Sequence, residues 1–130
     1  MTTEAPKLHA GHMEVAVARL IGWQSNTIVP NVYWGLGLRH EADLLVLDQK
    51  GRFTEIEIKV SKSDLKADFK KGHSHESSII SRMVFAVPES LVSTVTDLAP
   101  KKYGIISVQW NPHIGVFRPN GYAIANTFET

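Results

Sequence analysis

Apolar residues recur along the chain first at helical and then at strand spacing. Met13, Ala16, Val17, Leu20 and Ile21 stand at i, i+3, i+4, i+7 and i+8, one apolar stripe of a helix that begins near Leu8 and is ended by Gly22 and Gln24-Ser25-Asn26. Thr27-Ile28-Val29 and Val32-Tyr33-Trp34 are β-rich but separated by Pro30, which confines this segment to an edge or bent strand. Glu41–Leu47 predicts a strand whose Leu44-Leu45-Val46-Leu47 run suits burial on both faces. Arg52–Ser61 alternates sharply, with Phe53, Glu55, Glu57 and Lys59 on one face and Thr54, Ile56, Ile58 and Val60 on the other. Ser63 as N-cap, Asp64 in the first turn and Lys70-Lys71 in the last predict a short helix over Ser63–Lys71, stopped by Gly72. Met83–Val87 is a buried strand, Glu89–Leu98 a helix closed by Pro100, and Tyr103–Trp110 a further strand. Gly115–Phe117 and Tyr122–Ile124 flank Arg118-Pro119-Asn120-Gly121, where Asn-Gly favours a hairpin turn. The order α-β-β-β-α-β-α-β implies an α/β (α+β) protein, a mixed central sheet flanked by helices.

Composition narrows what such a domain can do. A chain of 130 residues is the size of one domain, expected here over residues 1–130 with residues 1–7 as a flexible tail. The absence of cysteine excludes a disulfide scaffold, a thiolate zinc site, an iron–sulfur cluster and a cysteine nucleophile. Apolar runs such as Met83–Pro88 fall far short of the roughly 20 residues that span a bilayer. Met1-Thr2-Thr3-Glu4-Ala5-Pro6-Lys7 lacks a basic-then-apolar signal pattern, so a soluble, cytoplasmic protein with no membrane partner is expected.

Candidate chemistry centres on Glu55-Ile56-Glu57-Ile58-Lys59. If Gln49-Lys50-Gly51 forms a three-residue hairpin loop with Gly51 left-handed, Asp48 pairs with Arg52 and Asp43 lies opposite Glu57. Opposed side chains are about 4.5–5.5 Å apart at Cβ, so two carboxylates there repel unless a cation lies between them. Oxygen ligands of this kind suit Mg2+ or Mn2+ rather than zinc. Lys59, on the same face, could position an attacking water or stabilise charge on a phosphate. A Glu-x-Lys on an exposed strand equally describes a solvated face. Glu14, at the edge of the first helix's stripe, could complete a metal shell or simply reach water.

The formal net charge of +1 conceals two opposed blocks. Glu41–Glu57 holds five acidic residues against two basic, and Lys59–Lys71 five lysines against two aspartates. Ser61, Lys62, Ser63, Lys66, Lys70 and Lys71 would lie where a phosphate backbone runs beside the acidic site, although such a run also describes a solvated helix face. His73 and His75 are either substrate contacts or surface histidines, with no third zinc ligand apparent. His9 and His12, three apart at a helix entrance, read as solvent-exposed. Trp23, Trp34 and Trp110 could stack on bases, but packing is their commoner use. Neither a serine nucleophile elbow nor a phosphate-binding Gly-Lys loop is present in the sequence.

Glu41-Ala42-Asp43 followed by Glu57-Ile58-Lys59 resembles the PD-(D/E)XK nuclease superfamily. More narrowly, Glu55–Asp68, Met83–Glu89 and Tyr103-Gly104-Ile105-Ile106 resemble its MmcB-like branch, described as DNA-repair proteins, with the likeness running from Glu14 to Val108. Ala42 stands where the superfamily's name has Pro, and Gly72-His73-Ser74-His75 replaces a Trp-Pro-containing segment of the repair members. The resemblance implies a restriction-endonuclease-like αβββαβ core. It implies that Asp43, Glu57, the Ile58 carbonyl and Glu14 bind Mg2+ or Mn2+, with Lys59 as the catalytic lysine. The expected function is metal-dependent hydrolysis of phosphodiester bonds in DNA, or RNA, with a homodimer or a targeting partner supplying selectivity. The alternatives are a non-catalytic nucleic-acid-binding module that keeps the fold, and an interaction protein with a chance Glu-x-Lys.

Overall fold

The computed structural model describes residues 7–33, 41–70, 80–98, 103–113 and 116–122, the side chains of 69–70, 116 and 118–122 excepted. Its organising unit is the hairpin of β2 (Ala42–Leu47) and β3 (Phe53–Ile58). Asp48 builds the turn: its Oδ1 accepts from the backbone N–H groups of Lys50 and Arg52, both at 2.9 Å, and its Oδ2 takes the Arg52 guanidinium at 2.7 Å. These bonds, the Arg52 N–H foremost, hold the Asp48 carboxyl below the usual carboxylate range. Asp48 and Arg52 close the loop, with the Asp48 N–H donating to the Arg52 carbonyl at 3.0 Å. Gly51 sits at φ +79°, the left-handed position that a three-residue loop demands. Nothing lies within 4 Å of a Cβ built there, so Gly51→Ala should destabilise through backbone strain alone, by about 1 kcal/mol in urea unfolding.

The turn sets the register Leu44↔Ile56, Leu45↔Glu55, Val46↔Thr54 and Leu47↔Phe53, the pairing expected from loop length. The sheet grows outward from this hairpin. Among the described residues six strands lie in the order β1-β2-β3-β4-β5-β6, with β1 Thr27–Val32, β4 Ile80–Pro88, β5 Gly104–Asn111 and β6 Val116–Tyr122. The pairs β3/β4 and β4/β5 are parallel and the others antiparallel, so the sheet is mixed. With the described helices α1 (Ala10–Ile21), α2 (Lys62–Lys70) and α3 (Val92–Leu98), this is an α+β architecture consistent with a restriction-endonuclease-like core. β1 carries Pro30 and lies at the sheet edge, where a missing N–H costs no ladder bond. None of the described helices is long and apolar enough to cross a membrane.

Strand alternation sends two sets of side chains to opposite faces. On one face Leu44, Val46, Ile56, Ile58, Val84, Ala86, Ile106 and Val108 meet Met13, Ala16 and Val17 of α1. On the other, Met83, Phe85, Val87 and Ile105 meet Leu65 of α2 and Val95 of α3. Glu55 and Glu57 stand level with Met83 and Phe85 and share this second face. The sheet is therefore covered on both sides, and the polar face of β3 is interior.

Local expectations are corrected at several places. The cap of α2 is Ser61, whose Oγ accepts from the Asp64 N–H at 3.2 Å, so the helix starts earlier than a Ser63 cap would place it. The segment read as a helix over Glu89–Leu98 opens with a 3-10 turn at Glu89–Leu91. Arg118-Pro119-Asn120-Gly121 lies within β6 and is no turn, because pairing to β5, with a register shift at Ser107/Val108 opposite Pro119, overrides the local Asn-Gly preference. His9 is exposed as expected and also serves as the cap of α1: its Nδ1 accepts from the Gly11 N–H at 3.1 Å, while His12 Nδ1 accepts from the His9 N–H at 3.2 Å. The two rings stack at 3.6 Å, and desolvation and the neighbouring His9 lower the pKa of His12.

Candidate functional site

Asp43 follows Ala42 at the start of β2, one step beyond the Leu44↔Ile56 pair, and the unbroken register places it across from Glu57. Its Oδ2 accepts the Ile58 backbone N–H at 2.7 Å, which fixes the carboxylate against the neighbouring strand. Burial raises the Asp43 pKa, opposed by that N–H and by Lys59 and reinforced by Glu41 and Glu55. Glu57 is only 4% exposed. Its carboxyl is pushed up to about 9 by burial, then by the Asp43 charge, a hydrogen bond with Glu55 and the Glu55 charge, with Lys59 pulling the other way. At neutral pH the cluster without a cation therefore retains a proton that an ordinary glutamate would have released.

Lys59 stands at the end of β3, held by its backbone N–H to the Ala86 carbonyl at 3.1 Å. Its Nζ lies 3.9 Å from Glu57 Oε2 and 3.6 Å from Asp68 Oδ1 of α2. The Ile58 carbonyl, the backbone ligand that the resemblance implies, belongs to the same peptide as that anchored Lys59 N–H.

The structure thus brings Asp43, Glu57, Ile58 and Lys59 together and adds two residues that sequence reasoning left out of the site. Glu55 is 0% exposed and bonds Glu57. Its signal was present in the alternation, which put it on the Glu57 face, but nothing local showed that face to be interior. Asp68 entered the sequence reading only as one of the two aspartates counted in the Lys59–Lys71 block. The burial of Leu65, three residues earlier, is what turns Asp68 toward the sheet.

Other expected members do not join the cluster. Glu14 rides on α1, which covers the opposite face of the sheet. Among the described residues no three His, Cys, Asp or Glu side chains form a group able to hold a metal, so the completed shell with Glu14 is not formed. The donor chemistry at Asp43 and Glu57 nevertheless fits a hard dication, because Mg2+ is commonly held by one or two carboxylates with water filling the remaining positions. Burial raises both pKa values first and like charges add to it, and those like charges are what such an ion would neutralise.

Lys62, Ser63 and Lys66 are exposed on α2, with Lys62 and Lys66 one turn apart; Ser61, half-buried, is engaged in the cap. The backbone of Lys70 continues the same helix. Lys71, His73 and His75 lie outside the described residues, as does Trp34. Trp110 packs edge-on against Phe117 at 5.0 Å, whereas Trp23 is 61% exposed.

Comparison with known proteins decides the family. The model of the MmcB-like DNA repair protein family matches residues 7–121, the great majority of the chain. This chain belongs to the MmcB-like family. The assignment carries a role in DNA repair or processing, and the matched span includes every residue of the carboxylate–lysine cluster. A search of curated proteins finds no match. Among solved structures, the MmcB-like chain is similar to the SPO1766 protein of unknown function from Silicibacter pomeroyi, at 21% identity and a TM-score of 0.61, over 95% of this chain and 78% of that one. At that identity the likeness supports the fold alone.

Proposed function

We propose that this MmcB-like protein is a metal-dependent DNA nuclease of the PD-(D/E)XK kind, hydrolysing phosphodiester bonds. The observation that carries the reading is the facing of Asp43 and Glu57 across a hairpin, in a buried and over-acidic cluster with Lys59 beside it. A fold holding buried like charges of this sort is destabilised by them, so a purely structural or purely DNA-binding role gives no reason to keep them. Asp43, Glu57 and the Ile58 carbonyl would hold Mg2+ or Mn2+. Bound there, the cation would supply an activated water and neutralise phosphate charge.

The chain's own groups account for the rest. Asp43, tethered by the Ile58 N–H, keeps its carboxylate oriented toward β3. Lys59 offers its ammonium to the attacking water or to a non-bridging phosphate oxygen, where negative charge grows in the transition state. Lys62 and Lys66 on exposed α2 balance the phosphates of the strand leading into the site. In the hydrolysis the water oxygen bonds to phosphorus and gives up a proton to solvent, the in-line ester P–O bond breaks, and the leaving oxygen takes a proton from solvent.

The test is incubation of the protein with supercoiled plasmid, single-stranded DNA and single-stranded RNA, in Mg2+, Mn2+ or EDTA. Cleavage of DNA in either metal and none in EDTA is the expected result. Binding of DNA without any cleavage would replace this reading with that of a non-catalytic module.

A further inference from the structure

Lys59 is held from two sides, and only one of them belongs to the site expected from the sequence. Its Nζ lies 3.9 Å from Glu57 Oε2 on its own strand and 3.6 Å from Asp68 Oδ1 on α2. The Asp68 side chain is 9% exposed and that of Lys59 18%, so this pair is largely withdrawn from water. The placement of Asp68 is built in. Ser61 caps α2 two residues after Lys59, Leu65 anchors the helix into the apolar layer at 0% exposure, and Asp68 follows Leu65 by one turn on the same face.

Ion-pair stability does not explain this aspartate. Lys59 already has Glu57, and the cluster already holds Asp43, Glu55 and Glu57 around one lysine. A further buried carboxylate adds repulsion and desolvation where acid is in excess. What it supplies is a second anchor, from a different element, for a long and flexible side chain. With Glu57 alone the ammonium would collapse onto that carboxylate and neutralise the position a cation needs.

We propose that Asp68 is a positioning residue that draws the Lys59 ammonium toward α2, leaving Asp43 and Glu57 open to a divalent cation and fixing Lys59 where a phosphate oxygen arrives. This inference rests on the nuclease reading above. Asp68 touches neither cation nor substrate; it acts through Lys59.

The experiment measures Mn2+ affinity by calorimetry and cleavage kinetics for wild type, Asp68→Asn and Asp68→Glu, each with native Lys59 and with Lys59→Ala, after thermal unfolding has established which variants fold. Asp68→Asn is expected to weaken Mn2+ binding about tenfold and to lower kcat about tenfold, with KM for DNA changed by less than about twofold. Asp68→Glu, which keeps the charge, should recover most of both. In the Lys59→Ala background Asp68→Asn should alter Mn2+ affinity by less than about twofold, because the group through which it acts is gone. Unchanged affinity and rate in Asp68→Asn would overturn the proposal, as would an equal loss of affinity in the Lys59→Ala background. Should Asp68→Asn not fold, Asp68→Ser, which also removes the charge, replaces it with the same expected losses, and unchanged affinity and rate in that variant would overturn the proposal. A wild type that neither binds Mn2+ nor cuts DNA would overturn the nuclease reading and this inference with it; an active wild type with an indifferent Asp68→Asn overturns the inference alone.

Discussion

Lys59→Ala is expected to lower metal-dependent DNA cleavage by about 100- to 1,000-fold, the usual loss when one preorganised donor to a developing oxyanion is removed. Asp43→Ala should lose as much for a different reason. It removes a proposed cation ligand and deprives the Ile58 N–H of its 2.7 Å acceptor, so it should also abolish stabilisation by Mn2+ in thermal unfolding. Lys59→Ala should retain Mn2+ binding, which separates the two roles. The Lys59 variant leaves the Glu57 and Asp68 carboxylates without the cation between them, so some loss of stability is expected as well. Rates are therefore to be compared under conditions where both proteins are shown to be folded, with Lys59→Arg as the charge-retaining control. Plasmid cleavage by Lys59→Ala within about threefold of wild type would remove this residue from the chemistry.

The second large effect concerns stability and pH. Glu57 has a folded-state value of about 9 against an ordinary value of 4.5, so between those limits the folded protein holds a proton that the unfolded chain has released. Stability of the cation-free protein must then fall as pH rises across this window, by up to about 1.4 kcal/mol per pH unit for a single proton. The raised value of Asp43 acts in the same direction. Glu57→Gln cannot ionise, and it should make the protein more stable than wild type at pH 8 by on the order of 5 kcal/mol in EDTA, with a visibly flatter pH dependence. Mn2+ should reverse the ranking. The ion competes with the proton for wild-type Glu57, so its stabilising effect should grow from pH 6 to pH 8 and be absent in Glu57→Gln. Parallel stability–pH curves for the two proteins in EDTA would show that Glu57 is not the strained group described above.

Much of this cluster was legible in the residues themselves, for a local reason. The loop Asp48-Gln49-Lys50-Gly51-Arg52 encodes its own turn through the Asp48 side chain and the left-handed Gly51. Once a loop length is set, strand period two fixes every pairing in the hairpin, and the facing of Asp43 and Glu57 follows by counting. The edge position of β1 was similarly readable from Pro30, because the missing N–H acts at that residue. The turn read at Asn120-Gly121 failed for the opposite reason: a strand partner distant in sequence outweighed a preference of modest size.

By itself the sequence determined the order of elements as far as β5, the register of the central hairpin and which residues of β3 share a face with Glu57. Tertiary structure alone decided that this face is interior, that α1 and Glu14 lie on the far side of the sheet, and that Asp68 reaches Lys59. The division is physical. Periodicity and turn geometry act over a few residues and are written locally, whereas burial depends on which helices come to lie over each face, α1 on one and the crossover helices α2 and α3 on the other. A carboxylate two places from another looks the same in sequence whether it meets water or Phe85; only the covering layer turns Glu57 from a surface charge into a proton-holding one.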